Sequence, residues 1–140
     1  EVDFGEDQAW ARLIIEACYR KAYAHDAAVY HSHNYGLIER LQRSFDEAYS
    51  LRRLFNYQHG RGFRHAVRSL VGITVRDFRF AFQAGLLKSH FWHVFSMPLD
   101  NLMRVAGHYL GANGSRLPEC VRLRLSRDRR LKMESLGESN

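Results

Sequence analysis

The chain has 140 residues, of which 46% are hydrophobic and 13% aromatic, a composition that excludes a disordered polar tail and fits one domain of ordinary size. Its net charge of +6 is unevenly distributed. Residues 1–35 contain three Lys/Arg and six Asp/Glu, whereas residues 61–140 contain fourteen Lys/Arg and six Asp/Glu. The basic half therefore predicts an anionic partner, which is a nucleic acid, a phospholipid or a diphosphate.

Helical periodicity dominates the chain, and the predicted fold class is mainly α with one short β segment. Four helices are predicted, over residues 6–20, 35–55, 63–87 and 98–111. The β segment is Ala27-Ala28-Val29-Tyr30-His31, which follows a turn at His25-Asp26 and is typical of a short buried strand. The pattern divides the chain into residues 1–35, a helical region over 36–115, and a basic, partly disordered tail over 116–140.

Several residues mark the ends of the predicted helices. Glu6 and Asp7 stand in the first turn of the first helix, where carboxylates favour the positive end of the helix dipole. Asn34 is a good cap for the second helix, and Pro98 is a good first-turn residue for the fourth. Cys18 and Cys120 fit no metal or redox spacing, which indicates reduced core thiols of a cytosolic protein.

The third predicted helix is amphipathic. Its basic face contains five arginines: Arg61, Arg64, Arg68, Arg76 and Arg79. One interpretation is a solvated outer face, and the other is a surface that meets anionic lipid or a lipid-diphosphate acceptor. The aromatic cluster downstream, Phe91, Trp92, Phe95 and Met97, is interpreted as core.

Three pieces of the N-terminal region carry the functional signal. They are Gly5-Glu6-Asp7, the helix and strand after it, and His31-Ser32-His33-Asn34-Tyr35. In this order they resemble the end of the catalytic domain in family 2 glycosyltransferases, which have the GT-A α/β fold, and most of all the bacterial rhamnosyltransferase branch. Arg43-Ser44-Phe45-Asp46 is similar to an Arg-x-Phe-Asp element that often follows in that branch. Cys18 departs from the family, which usually has glycine there, in the pattern Glu-Ala-Gly-Tyr.

The resemblance implies an inverting sugar transfer, and it covers residues 4–58 better than the rest of the chain. It makes Asp7 the base that takes the proton of the acceptor hydroxyl, and it gives Glu6 a role in orienting the acceptor or the helix start. It implies that His31 binds the metal, and that Trp10, His33 and Arg43 contact the substrate. From the residues alone, the two carboxylates are more simply helix-capping groups, and a histidine in an apolar strand is structural.

The resemblance also implies the cofactor and partners. The full-length enzyme would use Mn²⁺ or Mg²⁺ as its cofactor. The Asp-x-Asp motif that begins the metal site in the family is absent from this chain. Since the chain also begins at Glu1, it is expected to be an inactive C-terminal fragment without bound metal. The partners would be a nucleotide-sugar, a glycan or lipid-linked acceptor, and the cytoplasmic membrane face through Arg61–Arg79. Because the strand and Trp10 would lose their cover, the chain is expected to self-associate, or to pack this segment against its own helical part or a neighbouring molecule. The alternatives are a basic helical nucleic-acid-binding module and a structural oligomerisation domain.

Overall fold

The described part of the chain, residues 6–29, 35–57 and 62–128 of a computed structural model, is built from helices joined by turns. This arrangement confirms the predicted mainly α fold class. The elements are α1 (Glu6–Glu16), α2 (Leu37–Phe55), α3 (Phe63–Gln83), α4 (Leu86–Ser89), α5 (Phe91–Ala112), a 3₁₀ turn (Gly114–Arg116) and α6 (Glu119–Leu125).

Helix α5 is the centre of the fold, because both α2 and α3 pack against it. Helix α2 runs parallel to the second half of α5. Arg40, near the start of α2, pairs with Asp100 in the middle of α5, and the Arg52 guanidinium donates to the Ala112 carbonyl near the ends of both helices, at 2.8 Å. Helix α3 runs antiparallel to α5, since Asp77 meets Asn101 at 3.0 Å and Phe63 meets Tyr109 edge-on, with ring centroids 6.4 Å apart. Helices α3, α4 and α5 thus form a helical hairpin with α4 at its closed end.

Small residues allow α2 and α5 to approach closely along what we call the glycine seam, Gly107 and Gly111 of α5 against Ser44 and Ala48 of α2. A Cβ atom on Gly107 would collide with the Leu41 carbonyl and would lie 2.8 Å from the Ser44 Cβ. A Cβ atom on Gly111 would lie 3.0 Å from the Ala48 Cβ. Phe45, only 1% exposed, fills the space beside this contact.

The segment that follows α5 folds back onto α2. The Gln42 side-chain amide donates to the Arg124 carbonyl at 3.0 Å, and the Arg122 guanidinium donates to the Tyr49 hydroxyl at 3.0 Å. Further along, the buried Asp46 carboxylate accepts the backbone N–H of Arg127 at 2.9 Å. The described part of the predicted basic tail is therefore fixed to α2 through named polar contacts.

The predicted strand over 27–31 is wrong for the residues that the structure describes. Ala27, Ala28 and Val29 form no strand, and the Ala27 N–H instead closes a turn on the Ala24 carbonyl at 3.2 Å. A strand is stable only when a neighbouring strand takes up its backbone hydrogen bonds, and no described segment pairs with this one. Val29 is consequently 83% exposed, and Tyr30 and His31 lie outside the described residues.

Helix α1 ends at Glu16, four residues before its predicted end. The chain turns there because Cys18 adopts a left-handed conformation, with φ of 64°. The Cys18 N–H donates to the Ile15 carbonyl and the Tyr19 N–H to the Ile14 carbonyl, both at 3.0 Å, which is the hydrogen-bond pair of a Schellman motif. Cys18 and Cys120 are also both exposed, so the prediction that they are core thiols is wrong.

Two predicted boundaries in the hairpin also change. The predicted third helix is interrupted after Gln83, because Gly85 adopts a left-handed φ of 68° that ends α3 and begins α4. Helix α5 begins at Phe91, so Pro98 lies inside it. Proline has no N–H to donate, and its ring crowds the carbonyl four residues earlier, that of Val94. Helix α5 nevertheless continues through Pro98, with Val94 and Asn101 buried on either side of it.

Candidate functional site

The predicted catalytic carboxylates occupy the first turn of α1. Glu6 and Asp7 are both exposed, and the helix presents them at its positive end. Trp10 follows Asp7 by three residues, so both lie on the same side of the helix. The sequence pattern therefore places a carboxylate and an indole together on a surface that solvent can reach.

Helix α1 is joined to α2 through Arg12. Its guanidinium donates to the Leu54 carbonyl at 2.8 Å, lies 5.8 Å from the centre of the Phe55 ring, and pairs with Glu16 at 2.6 Å. Trp10 is nevertheless 65% exposed, and Leu13 is exposed beside it. Of the outcomes expected for this segment, burial of Trp10 against the chain's own helical part does not occur among the described residues, because one guanidinium attaches α1 and leaves its apolar side uncovered. Self-association and packing against a neighbouring molecule stay predictions.

The histidines of the predicted metal and phosphate contacts, His31 and His33, lie outside the described residues. His25 is described, and it pairs with its neighbour Asp26 at 2.6 Å on the surface. Within the three described ranges, no group of three His, Cys, Asp or Glu side chains is placed to hold a metal ion.

The Arg-x-Phe-Asp element lies in the middle of α2. Phe45 and Asp46 are both buried, and the carboxylate of Asp46 also accepts the Ser126 hydroxyl and the Asp128 N–H. Arg43 is half-buried on the same helix, eleven residues before Leu54, which is roughly 16 Å along the helix axis. The described structure thus keeps Arg43 apart from the end of α2 that α1 contacts.

A cavity of about 200 Å³ between α3 and α5 was missed by the sequence patterns. Its polar lining consists of His65, Ser69, Arg104, His108 and Tyr109. The His108 Nε2 lies 3.7 Å from a Glu47 carboxylate oxygen of α2. Imidazole, guanidinium and hydroxyl groups in this arrangement suit a small anionic group. The signal in the sequence is two polar pairs at i,i+4 spacing, His65 with Ser69 and Arg104 with His108.

The closed end of the helical hairpin, residues 78–95, exposes large apolar side chains, and we call it the hairpin tip. Phe91, Trp92 and Phe95 are exposed, Trp92 by 81%, so their assignment to the core is wrong. The residues that α5 buries instead include Val94, Asn101 and Val105. Arg64, Arg68, Arg76 and Arg79 are exposed along α3, while Arg61 lies outside the described residues.

A scan against models of protein families finds no match, and no curated protein and no solved structure is detectably similar to the chain. The resemblance to family 2 glycosyltransferases therefore depends on the sequence motifs alone.

Proposed function

We propose that this chain is the C-terminal part of an inverting family 2 glycosyltransferase. The enzyme would move a sugar such as rhamnose from a nucleotide-sugar to a glycan or lipid-linked acceptor. The observation that carries the proposal is the geometry of α1, which has an exposed acidic pair in its first turn and a left-handed residue just after its end. That left-handed residue is Cys18, at the position where the family pattern Glu-Ala-Gly-Tyr has glycine.

The left-handed conformation of Cys18 is relevant to the comparison with the glycine of the family pattern. Residues other than glycine adopt it at a cost of ~1–2 kcal/mol, because the Cβ atom crowds the backbone. Glycine avoids that cost, so a family that ends its helix in this way favours glycine there. The left-handed backbone at Cys18 is compatible with the glycine of the family pattern and supports the proposal to that extent, since helices in many proteins end in this way.

In the proposed reaction, Asp7 takes the proton of the acceptor hydroxyl as its oxygen attacks the anomeric carbon. The bond from that carbon to the diphosphate breaks, and the nucleoside diphosphate leaves. Glu6 orients the acceptor, while Trp10, on the same side of α1 as Asp7, packs against a sugar ring. A bound Mn²⁺ or Mg²⁺ would neutralise negative charge at the diphosphate, and His31 is the residue of this chain proposed to hold it. His33 and Arg43 are proposed to contact the substrate.

The uncovered apolar side of α1 supports a place for this helix within a larger catalytic domain. Trp10 and Leu13 are too exposed for a helix whose neighbours are all in place. The proposal includes a cytoplasmic location, where nucleotide-sugars are the donors, at or near the inner face of the membrane.

The test is Asp7→Asn in the longer enzyme, with Asp26→Asn as the matched control. Both residues are exposed aspartates of the N-terminal segment, but only Asp7 belongs to the proposed site. We expect Asp7→Asn to lower the transfer rate by ~10²–10⁴-fold with nucleotide-sugar binding retained, because a positioned base is lost while the donor contacts remain. Asp26→Asn should keep full turnover. Unchanged turnover in Asp7→Asn, or an equal loss in Asp26→Asn, would exclude this role for Asp7.

A further inference from the structure

We propose that the hairpin tip inserts into the surface of an anionic phospholipid bilayer. The proposal is independent of glycosyl transfer, because it depends on the exposed side chains of residues 78–95 and not on α1. None of the helices in the described ranges is long and apolar enough to cross a membrane, so the contact proposed is peripheral.

Apolar side chains project from several sides of the hairpin tip. Phe78 and Phe82 lie about 40° apart on the helical wheel of α3, whereas Phe80 lies about 160° or more from both. All three are exposed, Phe82 by 74%. Across the hairpin, the ring of Phe91 lies 4.5 Å from Phe95 and 5.7 Å from Trp92, so these rings form a second apolar cluster. A flat protein partner would cover one side of such a tip, whereas the acyl-chain and headgroup region of a bilayer encloses all of them.

The charge of the tip identifies the kind of bilayer. Residues 78–95 contain Arg79 and Lys88 but no aspartate or glutamate. Arg79 lies among the apolar side chains, since it lines one groove with Phe78 and Phe82 and another with Phe80. Long basic side chains in this position can extend to anionic headgroups while their methylene stems remain in the apolar layer.

The aromatic content of the tip also matches an interface between water and hydrocarbon. Trp92 has an apolar ring system and one N–H donor, and such side chains concentrate at the headgroup level of membranes. A nucleic-acid partner would use the same arginines, but it would leave most of the exposed phenylalanines in water. The combination of apolar rings on several sides with exclusively basic charges therefore favours a lipid surface.

Vesicle flotation of the whole chain provides the first measurement. We expect the chain to float with vesicles that contain phosphatidylglycerol and to bind more weakly to vesicles of phosphatidylcholine alone. The chain has two tryptophans, Trp10 and Trp92, so Trp10→Phe leaves Trp92 as the only reporter. Its fluorescence should shift to shorter wavelength on binding and should be quenched by brominated lipids. The proposal would be overturned if the chain did not bind anionic vesicles, or if it bound them while Trp92 remained in water.

Paired variants distinguish binding through the hairpin tip from non-specific hydrophobic binding to vesicles. Trp92→Ala with Phe95→Ala should weaken vesicle binding by roughly tenfold or more, since each side chain loses its burial in the bilayer. Trp10→Ala with Leu13→Ala removes a similar exposed apolar area from α1 and should leave binding nearly unchanged. Because all four side chains are exposed, both variants should fold, which circular dichroism will verify. Equal losses in the two variants would refute a specific role of the tip.

The charge is tested in the same way. Arg79→Gln with Lys88→Gln should weaken binding to anionic vesicles several-fold and reduce its dependence on salt. Arg20→Gln with Lys21→Gln removes the same charge from exposed positions elsewhere and should have a much smaller effect. Salt-sensitive binding of an oligonucleotide without vesicle binding would identify a nucleic-acid module instead. A dimer that Trp92→Ala dissociates, again without vesicle binding, would identify a second copy as the partner. Either result would overturn the lipid proposal.

Discussion

The carboxylate of Asp46 on α2 accepts the backbone N–H of Arg127 at 2.9 Å, across 81 residues of sequence. Burial raises the pKa of this carboxyl group above its ordinary value of 3.8, because desolvation outweighs the hydrogen bonds from Ser126, Asp128 and Arg127. The folded chain therefore holds this proton more tightly than the unfolded chain does. The stabilisation linked to the proton is complete below the ordinary value and is lost as the pH rises through the raised pKa.

The first prediction is a pH trend in the free energy of unfolding. The advantage of the wild-type chain over Asp46→Asn should fall as the pH rises through this window and should then become constant. Urea unfolding of both proteins at a series of pH values measures it. Asp26→Asn, at an exposed carboxylate, controls for the loss of one negative charge. An advantage that grows with pH would mean that the pKa of Asp46 is lowered by folding, and would contradict the prediction.

The second prediction concerns the glycine seam. Gly107→Ala should lower the free energy of unfolding by about 1–3 kcal/mol, because the new methyl group meets the Leu41 carbonyl and the Ser44 Cβ. Gly72→Ala is the matched control, since a Cβ atom there meets nothing within 4 Å. That change should raise the stability by about 0.5–1 kcal/mol through better helix propensity. Equal effects of both substitutions in urea unfolding would show that the close approach of α2 and α5 is not a constraint.

The third prediction concerns the end of α1. Cys18→Gly should strengthen this helix end, because glycine adopts the left-handed conformation without the Cβ penalty. The amide hydrogen of Tyr19, which bonds to the Ile14 carbonyl, should then exchange more slowly with solvent. Cys18→Ala keeps the Cβ atom and should give no such protection. Identical exchange in the two variants would remove the conformational basis for glycine at this position.

Periodicity predicted α2 well, since the expected 35–55 is close to the observed Leu37–Phe55. It succeeds there because apolar residues recur at helical spacing over the whole segment, and two of them, Phe45 and Ala48, are buried beside α5. It fails at Phe91, Trp92 and Phe95, because periodicity identifies apolar side chains but not which of them meet another helix. The exposed first turn with Glu6 and Asp7 was predictable from the helix start alone. The cavity beside His65 and His108 was not, because it depends on the register between α3 and α5.

The fourth prediction is that this chain by itself transfers no sugar. The expected nucleotide contacts and the Asp-x-Asp motif of the family are not among its residues. The pure chain should therefore show only background turnover with a panel of nucleotide-sugars and Mn²⁺ or Mg²⁺. The proposed full-length glycosyltransferase, assayed in parallel, is the positive control for the reaction conditions. Robust turnover by the pure chain would contradict this expectation.

The fifth prediction addresses the metal of the proposed full-length glycosyltransferase. His31→Ala should raise the concentration of Mn²⁺ or Mg²⁺ needed for half of the maximal activity, because one ligand is lost. His25→Ala is the control, since His25 pairs with Asp26 on the surface. Superimposable metal titrations of His31→Ala and the wild-type enzyme would remove His31 from the metal site.

The parallel alignment of α2 and α5 also affects how the chain acquires its structure during synthesis. The α3–α5 hairpin joins segments that are close in sequence. In contrast, Ser44 and Ala48 can pack only after Gly107 and Gly111 have been synthesised. Because α2 leaves the ribosome first, its apolar stripe remains uncovered until about sixty further residues have been added. A ribosome that stalls before residue 107 thus holds an α2 with its main packing surface in water. Until the glycine seam closes, such a nascent chain exposes apolar surface of the kind that promotes aggregation and that chaperones bind.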